Sequence, residues 1–524
     1  MKQINLPKLL CSTTLCLYFT AVFFARQSAE SIFIYYEKVF ALLWLTVALF
    51  LTYVFCRSSR ALSRAFSAEA AASRRECVIW FTATVLLAFS VLAVYYIIFF
   101  PGAYSPDSLS QLKQATTGVY SDWHPFMHTL LFFTIPLKLF GGSDEYIVLL
   151  QLVWFSLALG YLNYSLMKNG CSRLICAAEL LFVLLSPVTG RIMMYPWKDC
   201  GFAIFATVLV AQYVSIVCTR GTWLEKSANL AVFVVSAALT TLMRHNAILF
   251  VLPLLAVAML LCWKRKRLIA GGLIGGYVAL FLLIKGPVYS LYDVEKPDNR
   301  VIETTGACMV IMGEVVTENP NALPDYIRAF LYEVAPKEVW EEKYSCGNFN
   351  YVKWDEDTDV SVIEKAGYGT MLMYTYETVK ADKLHALHGF LALTDMVWKI
   401  DGSIPAEISP SVEEVTDNAR FENLRGNCWD IVTIWTKLVK SSPAVYIFYY
   451  VGLLNLLLIS FSLSGITRWG ALLRGVHALP ILIYNFGTAL LLTGPDWRFF
   501  FYTFPVFIPF AFLILRKDRK DMAL

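Results

Sequence analysis

Residues 104–140 read "YSPDSLSQLKQATTGVYSDWHPFMHTLLFFTIPLKLF". Whether their apolar part, 125–140, crosses a bilayer decides the layout of the whole chain. It falls short of the ~20 apolar residues that span a hydrocarbon core, and it contains His128, Pro136 and Lys138. Twelve other segments are apolar enough to cross, near 9–25, 38–56, 78–100, 146–167, 174–195, 200–218, 228–243, 247–263, 268–284, 444–464, 471–492 and 499–515. Basic residues collect on the cytoplasmic side of a membrane protein. With 125–140 left out and the N-terminus inside, that side receives "RSSRALSRAFSAEAAASRR", Lys168 with Arg173, Arg220 with Lys226, "KRKR" at 264–267, Arg468 with Arg474, and the tail "RKDRKD". With 125–140 counted as a span, "KRKR" and its neighbours turn outward. The first arrangement is the consistent one. It makes 125–140 a re-entrant or interfacial helix of the outer leaflet and 101–145 an extracytoplasmic loop.

Composition agrees with that class. Of 524 residues, 57% are apolar and 16% charged, where soluble domains carry about 25% charged residues. The expected fold is an all-α polytopic membrane protein of about 12 transmembrane helices, sited in the plasma membrane with both termini cytoplasmic. Residues 1–77 form two N-terminal spans and a basic loop, the first span read as a retained anchor rather than a cleaved signal peptide. Residues 78–284 form a central membrane module, 285–442 a small, mainly helical extracytoplasmic domain, and 443–524 the C-terminal spans and tail. The 285–442 segment holds 26 acidic and 15 basic residues, so the membrane portion carries the basic excess and no nucleic-acid partner is expected. Twelve cysteines include no Cys-x-x-Cys pair. Nine lie in or beside apolar runs as small buried hydrophobes. Cys308, Cys346 and Cys428 fall in polar sequence, where one disulfide among them is an open alternative.

Local patterns refine this. Ser105, Pro106 and Gly118 read as the cap, first turn and end of a helix. Leu109 and Leu112 share one side of it, and Asp107, Gln111 and Gln114 share the other. That helix is expected to lie on the membrane with Asp107 turned from lipid. Helical periodicity recurs in "DYIRAFLYEVAPKEVWEEKY" and "CWDIVTIWTKLVK". "KWDEDTDV" (353–360) lacks the Gly and distal Glu of a calcium loop. "GGLIGG" (271–276) spaces small residues for close helix packing.

With the sides assigned, polar residues gather at the outer helix ends: Asp107; Asp122 with His124; Lys198 with Asp199; Arg244, His245 and Asn246; Asp496 with Arg498. A charge at a helix end can snorkel to headgroups. Lys198, Arg244 and Arg498, however, lie on the side that basic residues avoid, and the turns at 196–199 and 244–246 are too short to reach far into water. An acid and several cations at one depth suit an anionic substrate anchored in lipid. No Gly-rich phosphate loop, nucleophile motif or zinc spacing is present. His124 and His128 stand i, i+4 without an obvious third ligand, and structural roles are the simpler reading. What remains is a carboxylate for general-base work and cations for a phosphate leaving group.

The stretch "PGAYSPDSLSQLKQATTGVYSDWHPFMHTLLFFTIPLKLFGGSDEYIVLLQLVW" resembles the first extracytoplasmic loop of the GT-C membrane glycosyltransferases, with Asp107, His124-Pro125 and Phe140-Gly141 matching in order. "SPVTGRIMMYPWKDCGFAIF" is similar to the second outer loop, with Asp199 in the place of a second acid, and "GPDWRFFFYTFP" resembles the start of a late span. The likeness covers roughly 78–284, more weakly 444–515, and looks closest to a bacterial GT-C-like branch. It implies an enzyme that transfers a sugar from a polyprenyl-phosphate donor to a cell-envelope glycan, lipid or protein acceptor at the outer membrane face. On that expectation Asp107 is the catalytic base, Lys198, Arg244 and Arg498 hold the donor phosphate, and Asp122, His124, Asp199, His245 and Asn246 shape the sugar and acceptor pocket. Paired acids of the first loop are reduced here to Asp107, which leaves a divalent metal ion open. Two further readings stand beside it: a transporter or flippase of a lipid-linked or anionic substrate, and a lipid-linked glycan polymerase or ligase.

Overall fold

The computed structural model describes Leu17 and residues 70–263, 266–297, 301–399, 419–464 and 474–516. The expected spans at 9–25 and 38–56, most of the basic N-terminal loop and most of the tail lie outside the described residues. Among those described, every regular element is helical, and β pairing is limited to isolated bridges of Ser121 with Glu295 and Ser345 with Asn348.

The chain runs through α1 (Arg74–Phe99), α2 (Pro106–Thr117), α3 (Phe126–Leu139), α4 (Glu145–Lys168), α5 (Arg173–Leu184), α6 (Lys198–Cys218), α7 (Ser227–Met243), α8 (His245–Trp263) and α9 (Arg267–Leu291). A polar segment follows with α10 (Gly306–Glu318), α11 (Asp325–Val334), α12 (Ser361–Ala381), α13 (Lys383–Thr394) and the amphipathic α14 (Glu422–Lys440). Apolar sequence returns in α15 (Val451–Ser464), α16 (Leu479–Ala489) and α17 (Trp497–Leu515). Six of these helices, α1, α4, α6, α8, α9 and α17, are long and apolar enough to cross a membrane. α6 is the bundle's central rod, packed on α4, α7 and α17. Polar side chains on it pair inside the bundle, as where Gln212 Nε2 donates to Ser236 Oγ at 2.9 Å.

Prolines shape the departures from straight spans. The expected span 174–195 is broken: α5 stops at Leu184, Ser186 is extended, and a short helix restarts at Pro187, because a residue preceding proline is driven out of the helical region. Pro136 and Pro287 each clash with the carbonyl four residues back, and a π-helical turn relieves each clash, at Leu130–Thr134 in α3 and Ile284–Val288 in α9. The expected boundary at 285 therefore falls inside a continuous helix that reaches Leu291. In "GGLIGG", Gly272 and Gly276 do approach Leu230 and Val234 of α7, while Gly271 and Gly275 meet no described neighbour within 4 Å.

α2 forms where the capping pattern places it, ending on Gly118 in the left-handed region at φ 75°. Its polar face turns into the protein: Gln111 and Gln114 are buried and Leu109 is exposed. In the polar segment α10 packs against both α12 and α13. α14 lies across the end of α1, with Trp429 against Phe99, and leaves Leu424, Ile431, Ile434 and Leu438 exposed.

Candidate functional site

A cavity of about 740 Å³ opens at the end of the bundle where α6, α8 and α17 begin. Asp107, Asp122, His124, Lys198, Arg244, His245, Asn246 and Arg498 all line it, joined by Lys285, Lys353 and Asp496. Pieces of chain far apart in sequence thus meet at one depth. Asp199 alone of the expected site residues stands behind the wall: it is 2% exposed and pairs with Arg244.

Arg498 is the hub. Its Nη1 lies 3.0 Å from Asp107 Oδ2, its Nε 2.6 Å from Asp496 Oδ2, and the same Nε 4.0 Å from Asp199 Oδ2. The guanidinium stacks over Trp197 at 4.9 Å, and Trp197 Nε1 donates to Ser105 Oγ at 2.7 Å, tying the start of α2 to the same ring. Arg244 stacks on Phe499 at 4.4 Å. Beside Arg244 lies a buried aromatic group of Phe202, Tyr484 and Tyr502, Phe202 and Tyr484 stacking at 4.9 Å. Charges held in such a setting interact far more strongly than in water.

Electrostatics around Asp107 follow from these neighbours. Burial pushes its carboxyl up, but the charges of Arg498 and Lys198 outweigh that and hold it at about 2. Burial and the Lys198 charge lower His124 to about 3, so its ring is neutral. Burial raises Asp496 against the pull of Arg498. With His124 neutral, its Nδ1 accepts from Lys198 Nζ at 3.3 Å. Among the described residues no carboxylate lies within ion-pairing distance of Lys198; Arg244, Lys285, Lys353 and Arg498 each have one. Lys198 is the cation in this cavity best placed to take an incoming anion.

The opposite wall is built by the π turn of α9. It turns Lys285 Nζ to 2.7 Å from Asp122 Oδ2 and lets Tyr289 donate to Asp122 Oδ1 at 2.9 Å. His245 Nε2 lies 3.0 Å from Asp122 O, and Asn246 Nδ2 donates to Thr488 Oγ1 at 2.8 Å. The polar segment closes the mouth with Asn350, Lys353, Trp354 and Tyr368, and Lys353 pairs with Glu303. Lys285 and Lys353 were not among the expected site residues. Lys285 carried the same signal as Lys198, a lysine at an outer helix end. Lys353 had none, since only folding of the polar segment brings it here.

His128 takes no part in the cavity. It is fully buried, stacked on Phe132 at 4.7 Å and hydrogen-bonded through Nδ1 to Gln111 Nε2 at 2.9 Å. The i, i+4 histidines therefore do not converge on a common ligand. Every carboxylate of the cavity is engaged by a protein cation, a donor set that fits a bound phosphate better than a divalent ion. The alternative of a disulfide is overturned, for Cys308, Cys346 and Cys428 are all free. No family model, curated protein or solved structure matches this chain.

Proposed function

We propose that the chain is a multi-pass membrane glycosyltransferase of GT-C type, moving a sugar from a polyprenyl phosphate to a cell-envelope acceptor in this cavity. The observation that carries the reading is Lys198, a cation without a carboxylate partner among the described residues, in one cavity with the Asp107–Arg498 pair. The cavity would lie at the outer leaflet, with the termini cytoplasmic and α10 to α13 extracytoplasmic, as the distribution of basic loops requires. The apolar residues exposed on α14 suit a helix lying in the headgroup layer.

In this reaction the acceptor hydroxyl oxygen forms a bond to the anomeric carbon, and the bond from that carbon to the phosphate oxygen breaks. The electron pair leaves on phosphate, where Lys198, Arg498 and the outer edge of Arg244 stabilise it. The hydroxyl proton passes to Asp107, and the anomeric centre inverts. Asp107 is too weak a base while Arg498 holds it at about 2. An arriving phosphate competes for Arg498 and Lys198, relieves that hold and raises the basicity of Asp107 when substrate is present. Asp199, buried behind Arg244, positions that guanidinium rather than touching sugar. Charges gathered at one end of the bundle weigh against transport, whose sites form at the bilayer midplane.

The test is transfer from a labelled polyprenyl-phosphate sugar in membranes containing the protein. Asp107→Asn is expected to lower the rate by about 10²–10⁴-fold. Undiminished transfer by that variant would remove the base and with it the mechanism. The length of the product separates single-sugar transfer from glycan polymerisation.

A further inference from the structure

Away from the cavity, a second cluster brings together three residue types that ligate metals. Glu314 comes from α10, His388 from α13, and Cys346 from the turn Ser345–Asn348. One ligand atom of each lies within 4.8 Å of the others. His388 Nδ1 stands 2.6 Å from Glu314 Oε1 and 3.5 Å from Cys346 Sγ. The two helices that carry Glu314 and His388 are locked face to face, because Gly389 lets the backbone of α13 approach α10: a Cβ there would stand 2.8 Å from the Glu314 Cβ. A buried carboxylate 2% exposed, an imidazole and a thiol are thus held on a rigid frame with the cysteine side open to solvent.

Two chemistries use these three groups. A nucleophilic cysteine needs its sulfur in line with one ring nitrogen while the other nitrogen faces the acid. Here Sγ lies 3.5 Å from Nδ1 and 3.7 Å from Nε2, in line with neither, and it shares Nδ1 with the carboxylate. A common centre fits better. Ligands at tetrahedral zinc distances of ~2.0–2.3 Å stand roughly 3.3–3.6 Å from one another. The sulfur-to-nitrogen separation already matches, and the carboxylate, 2.6 Å from Nδ1, gives up its hydrogen bond and withdraws by about 0.7–1 Å. Glu318 and Asp395 add negative charge around the sulfur.

We propose that Glu314, Cys346 and His388 form a site for a divalent zinc-class ion, with the fourth position open to water. Thiolate, imidazole and carboxylate together select zinc over the hard cations calcium and magnesium. Binding deprotonates Cys346 and releases that proton to solvent, moves the His388 ring proton from Nδ1 to Nε2, and replaces the Glu314–His388 hydrogen bond with two metal bonds. The site also has a mechanical consequence. The turn of Cys346 runs directly into the cavity wall, where Phe349 N–H donates to Thr493 O at 2.7 Å and Asn350 and Lys353 line the mouth. A bound ion staples that wall to α10 and α13.

The full-length protein in detergent, stripped with chelator, is titrated with Co²⁺ and then Zn²⁺. The expected result is one equivalent of Co²⁺ showing a thiolate-to-cobalt charge-transfer band that Zn²⁺ displaces. Zn²⁺ is also expected to protect Cys346 from alkylation, followed by peptide mass mapping. Cys346→Ser and His388→Gln are expected to weaken Zn²⁺ binding at least tenfold, with metal-free helicity unchanged. A wild-type protein that binds Co²⁺ without a thiolate band, or whose Cys346 is alkylated equally fast with and without Zn²⁺, overturns the site. These readouts need no transfer assay, so their failure leaves the proposed transferase untouched.

Discussion

At the residue scale, the proposed function rests on how one arginine divides its charge. Arg498 reaches Asp107 through Nη1 and both Asp496 and Asp199 through Nε, a fixed planar fork that the compact ammonium of lysine does not reproduce. Arg498→Lys is therefore expected to lower transfer by about 10²-fold in the labelled-donor assay. The same pair sets an acid response. Asp107 is held at about 2 against an ordinary 3.8. A carboxylate with a depressed folded pKa contributes stability that is complete above its unfolded pKa and is lost as pH falls through the folded value. The advantage of wild type over Asp107→Asn in thermal unfolding is thus expected to be constant above about pH 5 and to vanish between about pH 4 and about pH 2. An advantage that persists unchanged at the acid end would show that Arg498 does not hold Asp107 in this way.

At the scale of elements, the site depends on where helices stop and bend. The π turn at Pro287 aims Lys285 and Tyr289 at Asp122, and the break before Pro187 frees the chain to re-enter as α6 with Lys198 at its first turn. The polar segment seats on the bundle through a close approach. A Cβ on Gly306, at the start of α10, would meet the backbone carbonyl of Leu492, itself on the cavity wall. Since the obstacle is main chain, Gly306→Ala is expected to cost about 1–3 kcal/mol, read as a lower melting temperature in detergent. Wild-type melting would mean that the seat yields freely.

At the scale of the molecule, the two ends of the bundle differ in charge. One end carries the cavity and the acidic polar segment. The other carries Arg220, Lys226 and Lys266, with Lys266 paired to Glu225 at 3.2 Å. If the cavity faces outward, a cysteine placed at the exposed Lys337 (Lys337→Cys) reacts with an impermeant maleimide on intact cells. With the exposed native Cys346 replaced by serine in both proteins, one placed at the exposed Lys226 (Lys226→Cys) reacts only after permeabilisation. The reverse pattern would put the reaction on the cytoplasmic side and contradict a lipid-linked donor at the outer leaflet.

Apolar run length and turn chemistry made much of this legible in the chain itself. The helical class, α2 with its stop at Gly118, and the gathering of Asp107, His124, Lys198, Arg244 and Arg498 at one end all follow from local pattern, because helix ends and charge sidedness are local properties. What folding alone decided is who faces whom. Asp199 and Asp122 look alike as acids at helix ends, yet packing buries Asp199 behind Arg244 and sets Asp122 on the wall against Lys285. Lys353, and the meeting of Glu314, Cys346 and His388, depend on contacts between residues tens of positions apart. No periodicity records such distances; they arise when helices pack and bring chosen faces together.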